Sequence, residues 1–368
     1  MDEWFFHLPN RSFGGSLEST QQHHHGPAEA TIPLIDETDL DIIAALQIAP
    51  RVPANALAEI LGVPTSTITR RLNRLQNERL MKVIGRYAWP LILSGNPQQL
   101  WICCEPGRSA KVAEQLKAFP EVQFVITTSG TGDIYADVFP LLGTDMNDLL
   151  SNQIPSLPGI RSVESRLILD SRRVGQSWRI QRLTADQNDA LAAHVVPVNL
   201  PALSSIDELS DLEFGTMAEL GRNARASAAE VARTLNVSSS SAYRAIQMLL
   251  GTGAISPRVE VEPSAVGFPL TAVVSLQVKP KSISHVLDQL GGHESARMVT
   301  MVTGQAPVVF HGVFRDPGSL ADFITGDIGA LPGIQSMDTR VAIDVTRRYW
   351  MDRNGPFIGD QVEGLLRR

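Results

Sequence analysis

The sequence predicts an α+β chain made of two tandem copies of one unit, each a winged helix-turn-helix followed by a ferredoxin-like βαββαβ effector domain. Three observations predict it: an internal repeat, helical periodicity early in each repeat, and alternating strands and helices late in each repeat. Leu157-Pro158-Gly159-Ile160 recurs 174 positions later as Leu331-Pro332-Gly333-Ile334. The same step carries Leu46 onto Leu220, Arg51 onto Arg225, Val63 onto Val237, Arg70 onto Arg244, Gly130 onto Gly304 and Arg166 onto Arg340. One register held without a net gap from the forties to the one-sixties marks a duplication.

Each element follows from its own pattern. In residues 34–90, Leu40, Ile43 and Leu46 form one apolar stripe at helical spacing. Leu57, Ile60 and Leu61 form a second, and Ile68, Leu72 and Leu75 a third. Met81–Tyr87 then reads as a wing or a lead-out strand. Residues 97–184 read as strand Leu100–Cys104, helix Ala110–Phe119, strands Val122–Thr127 and Ile134–Phe139, helix Asp145–Ile154 and a last strand from Ile160, the βαββαβ order. Both parts return at 208–262 and 270–350. Residues 185–207, with Pro197 and Pro201, are expected to link the copies, and 351–368 to form a C-terminal tail. Residues 1–33 are expected to be a disordered tail whose His23-His24-His25 run is solvated rather than metal-binding. In the first effector strand Trp101 and Cys103 alternate with Ile102 and Cys104, so neither face of that sheet is polar. A partner sheet is the expected cover, and the second copy supplies one as an intramolecular pseudo-dimer, with pairing of matching copies between chains as the alternative.

Composition narrows the function. Of 368 residues 43% are hydrophobic and 19% charged, enough to build real cores. No stretch approaches the roughly 20 apolar residues of a membrane helix, and no signal-peptide pattern opens the chain, so the cytoplasm is the expected location. The net charge of −7 disfavours a protein that coats nucleic acid, so the placement of cations decides. Adjacent Cys103 and Cys104 point to opposite faces of a strand and read as small apolar residues. No catalytic, metal or cofactor site is expected.

The placement is informative. Two short helices joined at Gly62 give a helix-turn-helix, whose second helix enters the DNA major groove with its N-terminal residues against base edges. Once Ile68, Leu72 and Leu75 are assigned to the core, Thr65, Ser66, Thr67, Thr69, Arg70, Arg71 and Arg74 remain for double-stranded DNA. Hydroxyls allow close approach, and arginine can grip a guanine edge with two hydrogen bonds. Six cations, from Arg70 to Arg86, stand against Glu78 alone. In the second copy Ser239, Ser240, Tyr243 and Arg244 take the corresponding places, but Ala245 and Met248 replace Arg71 and Arg74. Weaker DNA contact by copy two is therefore expected, with Arg70→Ala costing far more than Arg244→Ala. Pro64 occupies the usual cap position, leaving Thr65 as an alternative cap.

Asp36-Glu37-Thr38-Asp39-Leu40-Asp41-Ile42-Ile43, Leu57-Ala58-Glu59-Ile60-Leu61-Gly62-Val63 and Ser66-Thr67-Ile68-Thr69-Arg70-Arg71-Leu72 together resemble the DNA-binding domain of the leucine-responsive/AsnC (Lrp/AsnC, feast–famine) regulators. Leu157–Glu164 is similar to that family's lead into its last strand, and Thr128–Asp133 to its effector-contacting turn. The resemblance implies a homo-oligomeric transcriptional regulator that takes an amino-acid-like effector at Ser129, Gly130, Thr131, Gly132 and Asp133. Pro307 stands in place of Asp133 in copy two, which weakens the same expectation there. Two alternatives share the architecture. One is a sirohaem-decarboxylase-like enzyme, with Phe310-His311 and Arg315 supplying an acid and an anion clamp. The other is a sensor or scaffold whose helix-turn-helix units no longer bind DNA.

Overall fold

The computed structural model describes residues 35–130 and 132–368, so the expectations for residues 1–33 and for Thr131 lie outside the described residues. In the first copy α1 (Glu37–Ile48), α2 (Ala54–Leu61) and α3 (Thr65–Asn77) form the three-helix unit, followed by β1 (Met81–Tyr87) and the short α4 (Trp89–Ile92). The first effector domain comprises β2 (Gln98–Cys104), α5 (Ser109–Leu116), β3 (Val122–Thr128), β4 (Ile134–Val138), α6 (Met146–Asp148, continued as a π-helical turn) and β5 (Ile160–Arg173). A connector carrying α7 (Ala185–Ala192) leads to α8 (Asp211–Arg222), α9 (Ala228–Leu235), α10 (Ser239–Gly251) and β6 (Ile255–Val261). The second effector domain comprises β7 (Leu270–Val278), α11 (Ile283–Gly292), β8 (Ala296–Val302), β9 (Val308–Phe314), α12 (Pro317–Asp322) and β10 (Ile334–Arg348). A hairpin of β11 (Met351–Asn354) and β12 (Phe357–Gln361) follows.

Local chemistry explains the helix ends. Asp36 and Asp39 form a reciprocal capping box at α1, with the Asp39 N–H donating to Asp36 Oδ1 at 3.0 Å. Gly62 ends α2 in the left-handed conformation at φ 68°, and its repeat partner Asn236 does the same for α9 at 53°. Thr65 is not a cap: Pro64 holds that position without a side-chain bond, so the first amides of α3 stay open.

Each effector sheet is antiparallel, in the order β5-β2-β4-β3 and β10-β7-β9-β8. The long strands join them. Past its pairing with β2, β5 runs on to pair with β8, while β10 leaves β7 to pair with β3. Eight strands thereby close a ring. Its helix-facing sides bury Leu100, Ile102 and Val112 in one copy and Val274, Leu276 and Val286 in the other. Its interior is lined by Trp101, Phe124, Ile126, Tyr135, Val273 and Val309. Closure removes the edges that two half-sheets would expose.

The helix-turn-helix units are joined in the same two-fold manner. β1 is a lead-out strand that pairs along its whole length with β6. Arg51 donates to the carbonyls of Ala224 and Ala226, while Arg225 donates to those of Pro50 (2.6 Å) and Val52 (3.0 Å). This reciprocal clasp holds the two units back to back.

Two segments are more ordered than their sequence suggested. The connector opens with a capping box in which Thr184 caps α7, and it packs on the first unit through Arg182, which bridges to Glu37 at 2.6 Å and Asp41 at 2.8 Å. The expected C-terminal tail instead extends the sheet from β10, and Trp350 donates its indole N–H to the Pro120 carbonyl at 2.8 Å. In both segments isolated polar residues conceal a few strong anchors.

Candidate nucleic-acid interface and effector cleft

On α3 the buried stripe of Ile68, Leu72 and Leu75 turns Thr65, Ser66, Thr69, Arg70 and Asn73 outward, with Thr67 half-buried. Asn73 is an addition to the residues expected from sequence, placed there by the same periodicity. Arg71 and Arg74 are a correction. Arg71 bridges Asp36 at 2.6 Å and Asp39 at 3.0 Å, and Arg74 bridges Asp39 and, at 3.4 Å, Glu78. Asp39 has no exposed surface, and a buried carboxylate needs cationic partners. These two arginines therefore lock α3 to the start of α1. Hydrogen bonding from the Asp39 amide, aided by Arg71, holds the Asp36 carboxyl below its ordinary pKa.

The cationic surplus of this segment is correspondingly dispersed. Lys82 and Arg86 are partly buried, and burial lowers both pKa values. Arg79 is exposed, 4.0 Å from Asp360. The outward charge of α3 itself is Arg70.

On α10, Ser239, Ser240, Tyr243, Arg244 and Gln247 are exposed. They occupy the repeat positions of Thr65, Ser66, Thr69, Arg70 and Asn73. Ala245 and Met248 stand where Arg71 and Arg74 stand in copy one, and Ser210 and Glu213 stand where Asp36 and Asp39 stand. Both partners of the lock changed together: Glu213 now serves the Ser210 capping box. The missing arginines were lock residues, so their loss gives no ground for ranking α10 below α3.

At one end of the barrel lies a cleft of about 520 Å³ shared by the two copies. Gly132 lines it; Ser129 and Gly130 are exposed on the adjoining turn. A methyl group on Gly132 would overlap Arg340 Nη1, so only glycine admits that guanidinium as placed. Arg340 stacks on Trp101 at 4.2 Å and pairs with Asp338 at 2.8 Å. Its repeat partner Arg166 pairs with Glu164 at 2.8 Å and has a buried, unpartnered Nη1. Asp133 departs from expectation. Its carboxylate accepts from the Cys104 amide at 2.7 Å, fastening the turn to β2 instead of facing the cleft. The acids that do line the cleft are Glu164 and Asp338.

His311 and Arg315 do not form a joint site. The Arg315 guanidinium lies over the Phe268 ring, whereas His311 faces the barrel interior against Phe124.

Comparison with known proteins agrees with this geometry. An AsnC-type helix-turn-helix family model matches residues 35–76. The Lrp/AsnC ligand-binding domain matches 271–350, and a C-terminal dimeric α+β barrel domain matches 109–180. The chain is 28% identical over 145 residues to the HTH-type transcriptional regulator LrpA of Pyrococcus abyssi, covering 37% of this chain and 98% of that protein. It is 26% identical to the regulator FL11 of Pyrococcus furiosus, covering 37% and 90%. The crystal structure of the siroheme decarboxylase NirDL shares the fold at a TM-score of 0.55 and 11% identity, covering 86% of this chain and 94% of that one.

Proposed function

This chain belongs to the Lrp/AsnC family of helix-turn-helix transcriptional regulators, and from that membership we propose that it reads double-stranded DNA with the exposed faces of α3 and α10 together. The matched outward faces, held by the Arg51–Arg225 clasp and the β1–β6 ladder, carry this reading. Arg70 and Arg244 contact base edges or phosphates, each worth about 1–3 kcal/mol of discrimination where it grips a guanine. The uncapped amides of α3, beside Thr65 and Ser66, suit a phosphate.

The effector is zwitterionic and amino-acid-like. Arg166 and Arg340 take its carboxylate, Glu164 and Asp338 its ammonium group, and Gly132 leaves room beside Trp101. Whole chains associate further as homo-oligomers through the long strands, where Leu169 and Ile343, one repeat step apart, stand exposed.

A decarboxylase reading meets an obstacle in His311. Burial, reinforced by Arg348 and Arg297, holds its pKa well below the ordinary value, so the imidazole is neutral and has no spare proton to give as an acid. Titration with sirohaem is expected to leave the absorption spectrum of the tetrapyrrole unchanged.

Fluorescence anisotropy with DNA from upstream of the chain's own gene tests the main reading. Affinity is expected to fall steeply as salt rises, because phosphate contacts release counterions. Binding that is absent or insensitive to salt contradicts it.

A further inference from the structure

Between the helix-turn-helix layer and the barrel lies a second cavity, of about 380 Å³, remote from the effector turn. Its walls combine apolar side chains, among them Ile48, Trp178 and Val259, with Arg86, Arg258 and Arg297. Arg297 is 5% exposed, and among the described residues its guanidinium makes no hydrogen bond or ion pair. It rests on the Trp178 ring at 4.9 Å. Arg86 Nε is likewise buried and unpartnered. Close by, Arg258, Arg348 and Arg353 occupy the two carboxylates of this cluster, Glu260 and Glu262, in ion pairs. Glu262 holds Arg348 at 3.2 Å and Arg353 at 3.0 Å, and Glu260 holds Arg353 at 2.9 Å and also Arg258, and neither carboxylate forms an ion pair with Arg297. A buried cation without a directly paired counterion is costly: burial with the neighbouring Arg348 and Arg258 pushes the Arg297 pKa down to about 9, and the longer-range attraction of Glu260 and Glu262 offsets this only in part.

We propose that this cavity is a binding site for an organic anion with an apolar body and at least two acid groups, whose charge completes the Arg86–Arg258–Arg297 cluster. Among the described residues the site occurs once. One repeat step earlier, Arg258, Arg297 and Arg348 correspond to Ile84, Gln123 and Val174. Two identical copies would place these charges symmetrically, so divergence after duplication built a pocket on one side of the pseudo-axis only. Its walls include the end of α1, β6, the connector and β8, so an occupant touches both the DNA-reading layer and the barrel.

Naphthalene-2,6-dicarboxylate is a suitable probe, tested on the full chain without DNA by calorimetry and thermal unfolding, with 2-naphthylmethylamine and inorganic phosphate as comparisons. The dicarboxylate is expected to bind and raise the melting temperature, phosphate to do so far more weakly, and the amine not at all. Arg297→Gln installs the residue found in copy one. It is expected to melt no lower than the unliganded parent, since a buried charge without an ion pair is removed, and to lose dicarboxylate binding at least tenfold. Arg86→Gln is expected to weaken binding less, and Arg315→Gln, outside the cavity, to leave it unchanged. No shift with the dicarboxylate, an equal shift with phosphate, or an Arg297→Gln variant that binds like the parent overturns the proposal. DNA affinity does not enter these readouts, so they stand or fall apart from the DNA-reading assignment.

Discussion

The two recognition helices differ most where they do not face outward. In copy one Arg71 and Arg74 fold back onto Asp36 and buried Asp39. In copy two Ala245 and Met248 pack against a unit whose α8 begins with Ser210 and Glu213. The outward faces nevertheless match position for position. In the proposed reading, cationic residues on such a helix thus serve two ends, holding the helix in place and presenting charge to DNA. An internal repeat separates the two, because the lock residues change as a set while the presented positions stay exposed and keep Ser66/Ser240 and Arg70/Arg244 unchanged.

The sharpest way to break this comparison is to remove the lock. Arg71→Ala combined with Arg74→Ala leaves Asp39 buried without a cation, and a loss of about 3–5 kcal/mol is expected in denaturant unfolding. A loss below about 1 kcal/mol would mean that the ion pairs are incidental.

The clasp between the copies comes next. Arg51→Ala strands the carbonyls of Ala224 and Ala226, and about 1–3 kcal/mol of stability should go with it. Arg225→Ala should match it, and a large inequality would show that the two units are not held symmetrically.

A pH series sharpens the contrast inside the barrel, where Asp137 stands at the repeat position of His311. Burial raises the Asp137 pKa from 3.8 to about 7, opposed by its hydrogen bond from the Tyr135 hydroxyl. The folded state then holds a proton that the unfolded state has released, so this group costs stability as pH climbs from about 4 to about 7. Asp137→Asn should gain stability relative to the parent across that interval in thermal unfolding. A difference independent of pH contradicts the assignment.

The smallest effect on stability belongs to the effector turn. Gly132→Ala meets the mobile end of Arg340 and, at 3.3 Å, Cε3 of Trp101, so a change within about 1 kcal/mol is expected. Displacement of Arg340 should nonetheless abolish the response of DNA binding to amino acids, and an intact response would place the effector elsewhere.

The duplication, the three-helix unit and the βαββαβ order were legible because each is periodic: a step of 174 positions, an apolar stripe, an alternation. What stayed hidden was pairing between distant residues. Spacing alone left Arg71 and Arg74 pointing away from the core; that Asp39 would be buried and draw them back depended on how α1 crosses α3. Asp133 is expected as a ligand group from the resemblance of its turn to the family's effector turn, yet it is satisfied by an amide of the neighbouring strand. Arg51 and Arg225 were visible as repeat partners, but their role appears only when the two copies face each other. The arginines around Arg297 lie on separate strands, and no local motif announces them.

The central claim is that Arg70 and Arg244 are the charges the protein presents to DNA. Anisotropy titrations of Arg70→Ala and Arg244→Ala on one operator fragment, repeated over a series of salt concentrations, test it most directly. Each variant should lose affinity by a similar factor, on the order of tenfold, and show a shallower salt dependence wherever the lost contact was to phosphate. Loss confined to Arg70→Ala would make copy two a structural partner only, and unchanged binding by both variants would contradict the account.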